Sequence, residues 1–296
     1  NAIITRMGAV GGILYLLITS VLYSSSRVAG LSHVNYLPLF AIVAGLMAVS
    51  VGVLFATVRE KKLAEENRKL EAEHPEWNLA EVDESGNEAL PPAVKRSLGF
   101  LLASIALWFI GYNDVTTWFS TYVDVVMGQG LGGASTCLLI ATAGAIVSYI
   151  PIGQIASKIG RRRTILFGGV RLTACCAAGY FYTLVSSRFH PALYALFTLV
   201  GVAWASINVN SLAMVVEMCR GSDIGKFTGY YYTASMAAQT VTPIVAGWLL
   251  KHVSYSVLFL YAAIFVALAF FTMLMVRHGD ARAEAKVGLE AFDVED

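Results

Sequence analysis

Charge is what this sequence of 296 residues has least of: 14% of them are Asp, Glu, Lys or Arg, against about a quarter in soluble domains. Histidine is scarcer still, and His33, His74, His190, His252 and His278 all fall in loops or at the ends of apolar runs. Neither H-E-x-x-H nor G-x-S-x-G occurs, which removes the marks of a zinc protease and of a serine hydrolase. An intramembrane enzyme would need clustered His, Asp or Ser within apolar segments, and the chain is read as not an enzyme. The four cysteines, Cys137, Cys175, Cys176 and Cys219, have no metal-ligand spacing to histidine and read as small packing residues. No metal and no cofactor is expected. There is no Asn-x-Ser/Thr acceptor and no visible signal peptide. The net charge of +1 predicts no nucleic-acid partner.

What the chain has instead is apolar length. Hydrophobic residues make up 57% of it, and its charges sit in short islands. The stretches between run about 20 residues, enough for a helix to cross a hydrocarbon core about 30 Å thick. Eight such spans are expected, at 3–23, 36–58, 98–120, 134–156, 164–186, 192–216, 229–250 and 255–276. A soluble all-α protein would show polar helix faces, and these segments mostly do not. With eight spans the loops alternate between two sides of a bilayer. One side collects Arg59, Lys61, Lys62, Arg68, Lys69, Lys95, Arg96, the 158–163 cluster, Arg220, Lys226, Arg277, Arg282 and Lys286; the other holds Arg27, Arg188 and Lys251. By the positive-inside rule the first side is cytoplasmic, together with the 60–97 stretch and the C-terminus, and the chain is expected in the cell membrane. The loop GQGLGG at 128–133 fits G-x-G-x-x-G. It follows no strand, so it is not read as a nucleotide site.

The hydrophilic stretch 60–97 divides the chain. Its first part, EKKLAEENRKLEAEHPEWN, reads as a charged surface helix ended by Pro75, with Glu65 and Lys69 spaced to pair. The remainder, EVDESGNEALPP, reads as linker. Two spans precede it and six follow. The last span before it and the last of the chain resemble each other: Tyr36 and Tyr255 each open a Tyr-x-x-Leu-Phe, apolar run, Val-Arg pattern. Weak symmetry between halves is a mark of secondary transporters. The expected organisation is therefore 1–59, the last two helices of an N-terminal bundle; 60–97, a cytoplasmic linker; 98–278, a complete six-helix bundle; and 279–296, a cytoplasmic tail. On a six-span repeat, the first bundle would lack four helices and the whole protein would have twelve.

Within GQIASKIGRRR, Gly153, Lys158, Gly160, Arg162 and Arg163 match the loop signature of the major facilitator superfamily, with Ser157 standing where the signature has an acid. The loop follows the second of the six spans, as that resemblance requires. NAIITRMGAVGGILYLLIT, GVAWASINVNSLAMVVEM and GSDIGKFTGYYYTASMAAQTVTPIVAGWLL look like the bacterial branch of the sucrose-transporter-like carriers, neighbours of the glycoside–pentoside–hexuronide:cation symporters. The resemblance implies an all-α, twelve-helix carrier working by alternating access. It would take a small molecule, a sugar or glycoside, with a coupling cation, H⁺, across the lipid bilayer. A carrier of a drug, amino acid or organic anion, or a non-transporting sensor on the same fold, is the alternative.

Polar residues inside spans are costly and therefore candidate site residues. In GYNDVTTWFSTYVDVV, Asn113, Thr117, Thr121 and Asp124 share one helical face, flanked by Asp114 and Ser120, with Trp118 and Tyr122 nearby. Amides, hydroxyls and carboxylates beside aromatic rings suit a polyol. Asn113, Asp114, Thr117, Trp118 and Thr121 are the substrate-binding candidates here, and Asp114 is also the coupling candidate. Trp204, Asn208 and Ser211 fall at i, i+4 and i+7; Trp204 and Asn208 join the set, with interhelical packing as the other reading of Asn208. Gln239 lies mid-span, four residues before Pro243, and completes the set. The resemblance implies that Glu217 faces the arginines of the loop when the carrier is closed to the cytoplasm. Lys158, Arg161, Arg162, Arg163 and Glu217 are thus the gating candidates. Arg6 and Arg171 lie one to two turns inside their spans, each able to snorkel to the interface or to touch a substrate or gate.

Overall fold

A computed structural model describes residues 35, 37–57, 62, 65, 69, 81–82, 88–128, 130–219 and 223–280. The chain divides into two compact units, Ile3–Pro75 and Glu76–Asp296 with Asn1–Ala2. In the first unit the described element is helix α1, Leu37–Thr57. The expected first span, 3–23, and Arg6 lie outside the described residues.

The second unit opens on a two-residue antiparallel ribbon, β1 (Glu81–Val82) and β2 (Glu88–Ala89), in the register Glu81 to Ala89 and Val82 to Glu88. This is the one departure from an all-α fold among the described residues. Six helices follow: α2 (Pro92–Met127), α3 (Gly130–Ile159), α4 (Arg161–Val185), α5 (Ala192–Val216), α6 (Ile224–His252) and α7 (Val257–Leu274). Proline in the first turn starts α2, where its missing N–H goes unneeded. Gly128, in the left-handed conformation at φ 65°, ends α2, and α3 resumes at Gly130. From Gly130 on, the glycine-rich stretch expected as a loop is therefore the first turn of a helix.

Of the eight expected spans, five described helices are long and apolar enough to cross a membrane: α2, α3 from Thr136, α4, α5 and α7. In α1 the apolar segment is the shorter Leu37–Val53. Helix α6 is long enough but less apolar, because it carries Tyr230, Thr233, Gln239 and Thr240 along its middle, with Thr233 and Thr240 exposed. A polar exposed face is poorly matched to hydrocarbon, and the lower hydropathy of α6 has that cause.

Five of the six helices form a ring in which α2 packs on α3 and α7, α3 on α5, α5 on α4 and α4 on α7, with α6 laid against α2. Apolar side chains do not drive association between helices in lipid; close van der Waals approach at small residues does. The contacts follow that rule. A Cβ at Gly201 of α5 would collide with the carbonyl oxygen of Ala141 in α3. At Gly168 of α4 it would meet Ala203 and Ser206 of α5, and at Gly111 of α2 the backbone of Ala262 in α7. Cys137, Cys175 and Cys176 are buried packing residues. Replacing Gly201 by Ala should lower the unfolding free energy by about 1–3 kcal/mol through overpacking. Gly99→Ala, with nothing within 4 Å of its Cβ position, should leave it unchanged within about 0.5 kcal/mol. Unfolding titrations of the two variants in mixed micelles check the difference.

Candidate functional site

The polar and aromatic side chains of the second unit collect in two places, one within the bundle and one at its charged end. Within the bundle, Tyr112 of α2 stacks face to face on Trp204 of α5, with centroids 3.8 Å apart and planes 4° from parallel. Phe109, one turn earlier on α2, meets the Trp204 ring edge-on at 5.1 Å and the Tyr231 ring of α6 at 6.3 Å. The Tyr231 hydroxyl donates to Oδ1 of Asn208 at 3.5 Å and lies 3.4 Å from the Ser211 hydroxyl. Tyr149 of α3 also reaches Asn208. Three helices, α3, α5 and α6, thus converge on one amide, which is held between two tyrosines one turn from the ring pair that α2 and α5 form.

Of the sequence candidates, Trp204 and Asn208 meet here. Tyr112, Tyr149 and Tyr231 complete the cluster, and the sequence reasoning missed them. Tyr112 had a usable signal, standing directly before Asn113. Tyr149 and Tyr231 had none, because only the packing of α3 and α6 brings them to α5.

Asn113, Thr117, Thr121 and Asp124 do form a stripe on α2, with Thr117 and Asp124 exposed and the others half-buried. Asn113 donates to the Phe109 carbonyl at 2.9 Å. Asp114 and Trp118 point elsewhere. The Asp114 residue is 1% exposed, neither carboxylate oxygen has a hydrogen-bond partner among the described residues, and its neighbours include Cys176 of α4 and Tyr261 of α7. Trp118 donates from Nε1 to the Pro243 carbonyl of α6 at 3.2 Å and covers Gly247. Gln239, half-buried, donates to the Ser235 carbonyl of its own helix at 3.3 Å. A small cavity between α2, α4, α5 and α7, lined by Gly111, Val115, Leu172, Cys176 and Phe197 among others, is apolar and offers nothing to a polyol.

At the other place, Arg161 forms an ion pair with Glu217 at the end of α5. The Arg161 and Arg162 backbone N–H groups donate to Oδ1 of Asp280, the second at 3.3 Å. A side-chain acceptor there satisfies donors that the first turn of a helix leaves free and complements its dipole. Gly160, at φ 99°, lets the carboxylate in, since a Cβ would lie 2.9 Å from Oδ2. The Arg162 side chain donates to the Leu274 carbonyl of α7 at 2.8 Å. Lys158 and Arg163 are exposed.

Asp280 arrives on a strap, residues 276–280, that crosses this end of the bundle. The Arg277 N–H donates to the Ser97 hydroxyl of α2 at 3.2 Å, and that hydroxyl lies 2.8 Å from Nδ1 of His278. Gly279, at φ 82°, passes so close to α5 that a Cβ would lie 2.5 Å from the Met214 carbonyl oxygen. The strap therefore touches α2, α5 and α4 within a few residues, and every described partner of the basic loop belongs to this one unit.

A bundle of this kind, with helices of membrane-crossing length and a polar cluster at their centre, is a multi-pass membrane protein. The sequence matches the family described as Major Facilitator Superfamily over residues 1–189 and, in a second overlapping match, over 134–293, and the chain belongs to that family. It is also similar to an uncharacterized protein in the sodM 3'region of Geobacillus stearothermophilus, 27% identical over 164 residues that cover 53% of this chain and 72% of the relative. Members of the family are transporters rather than enzymes, and they carry small molecules across a membrane.

Asp280→Ala should lower stability by about 0.5–2 kcal/mol, the range for a lost helix cap. Glu217→Gln should act on the same loop, so the double variant should fall short of the sum. Thermal midpoints of the single and double variants measure the coupling; strict additivity would mean the two contacts are independent.

Proposed function

We propose that this transporter carries a sugar, a glycoside or small oligosaccharide, in symport with a proton by alternating access. The observation that supports this reading best is the Tyr112–Trp204 ring pair beside Asn208, with the polar stripe of Asn113, Thr117 and Thr121 on α2. Rings stack on the C–H faces of a pyranose, and amides and hydroxyls both donate to and accept from its hydroxyls. In this reading Trp204 and Asn208 bind substrate, with Tyr149 and Tyr231 orienting Asn208. Trp118 and Gln239 shape the wall through α6.

Asp114 is the proposed coupling residue. A charged carboxylate without a donor in an apolar interior is expensive, and taking up a proton removes the charge. Its neighbours, a thiol and a phenol, do not make the multi-oxygen shell a metal cation wants. The basic end of the bundle is proposed to face the cytoplasm of the cell membrane, on the positive-inside asymmetry. Opening there would require the loop of Lys158, Arg161, Arg162 and Arg163 to shift against Glu217. An organic-anion carrier would place a cation at the site. Arg171, the one mid-helix arginine of α4, is exposed instead.

The test is uptake by energised cells expressing the protein, given a panel of glucosides and disaccharides while external pH is recorded. Alkalinisation with one sugar is expected. Asp114→Asn should abolish the alkalinisation, and Trp204→Ala should raise KM about tenfold, the equivalent of about 1.4 kcal/mol of lost stacking. Sugar uptake that is untouched by Trp204→Ala would remove the ring pair from the site.

A further inference from the structure

Arg171 is left over by the functional reading. It lies within α4, ten residues past the helix start at Arg161, or about 15 Å along the axis at 1.5 Å per residue. The helix packs by one side on α5 and α7, with Gly168 against Ala203 and Gly179 against Phe259. Arg171 lies about 60° around the helix from Gly168 at 100° per residue, at the edge of the exposed side. Its neighbours on that side are apolar and exposed too, Phe167 by 64% and Val170 by 52%, as befits a surface that meets hydrocarbon.

An arginine there costs about 2.5–3.5 kcal/mol on insertion scales if it stays at the centre of the bilayer. It does not have to stay there. Cα–Cβ bonds in a helix tilt toward the N-terminus, so the side chain of Arg171 is launched toward the basic end of the bundle. Arg163 stands at that end, eight residues earlier, and is exposed as well. Arg163, Phe167 and Arg171 follow one another at four-residue spacing, within an arc of about 80° at 100° per residue. The nearby carboxylates are engaged elsewhere, Glu217 with the Arg161 side chain and Asp280 with the first backbone N–H groups of α4. Among the described residues neither Arg163 nor Arg171 has an ion-pair partner.

We propose that this stripe binds the phosphate of an anionic membrane lipid, in the leaflet at the Lys158–Arg163 end of the bundle. Two guanidinium groups supply forked donors matched to phosphate oxygens. Phe167 and Val170, between and beside them, are covered by the acyl chains of the same molecule. That pairing of charge with exposed apolar surface selects a lipid over a soluble anion, which would leave both residues uncovered. The site does not depend on what the carrier transports.

The test uses the full chain reconstituted in phosphatidylcholine vesicles, with spin-labelled phosphatidylglycerol or spin-labelled phosphatidylcholine as the probe. The motionally restricted fraction of each label gives the relative affinity of the protein surface. The native chain should prefer phosphatidylglycerol by roughly five- to thirtyfold, the equivalent of one to two cations acting near an anionic surface. The R163Q/R171Q variant should show no preference, and Arg171→Lys should keep most of it. The double variant should retain the thermal midpoint of the native chain in pure phosphatidylcholine, which separates lost lipid binding from misfolding. Excess inorganic phosphate should not displace the labelled lipid. Displacement by phosphate would make this a soluble-anion site. A native chain without preference would mean that protein, a second copy or the Ile3–Pro75 unit, covers the stripe. Preference retained by R163Q/R171Q would place the lipid elsewhere. Each of these three results overturns the proposal.

Discussion

Hydrocarbon offers no partner to a backbone N–H or C=O, and the rest of this structure depends on that constraint. It forces each crossing segment to be a helix that satisfies its own backbone, and it removes the usual force that would press those helices together. What is left is contact distance. Gly201 against the Ala141 carbonyl, Gly168 against Ala203 and Gly111 against Ala262 bring α3, α5, α4, α2 and α7 to near-backbone contact. That closeness in turn sets the rings of Tyr112 and Trp204 at 3.8 Å. The polar cluster is a consequence of glycine placement within a turn of its rings, Gly111 beside Tyr112 and Gly201 three residues before Trp204.

The charged end solves a different problem in the same medium. Helix α4 begins one residue after α3 ends, so little chain is available to cap it locally. A carboxylate 119 positions downstream supplies the cap, delivered by a strap that also fastens to Ser97 of α2 and lies against α5. The loop signature carries Ser157 where its acid is expected, and Ser157 donates back to the Gln154 carbonyl of its own helix. Negative charge reaches the basic loop from Glu217 and Asp280, both distant in sequence. The loop is thereby tied to the ends of α5 and α7, and a movement of either helix is a movement of the loop.

Most of the fold was legible because hydropathy and loop charge are local properties. The placement of Trp204 with Asn208 was legible for the same reason, since i, i+4 spacing on one helix needs no partner. Three things were not. The length of α6 was read from its apolar stretch, but its exposed Thr233 and Thr240 make it less apolar than a lipid-facing helix. Tyr149 and Tyr231 depend on which helices become neighbours, and spacing along one chain segment does not carry that. Asp280 is a cap made across the whole bundle, with Gly160 and Gly279 as its only traces in the sequence. Asp114 shows a further limit: helical spacing placed it beside Asn113, but in a span apolar on all sides nothing local says which side faces the bundle interior.

That separation of Asn113 from Asp114 matters for coupling. Successive residues on a helix point about 100° apart, and α2 uses this to address every neighbour from one short stretch. Tyr112 lies on α5, Asn113 belongs to the exposed stripe, Asp114 turns toward α4 and α7, and Trp118 holds α6 at Pro243. On the proposed reading the proton and the sugar are therefore bound on different sides of a single helix and need not touch. A charge appearing on Asp114 would act on the seating of α2 against α4 and α7, where Gly111 leaves no slack at Ala262. Any shift in that seating is carried rigidly to Tyr112 and the Asn113 stripe, because a helix transmits axial rotation over one turn without loss. Coupling then requires only that the two seats of α2 differ in how they present the ring pair, which is an equilibrium between packings rather than a contact between ligands.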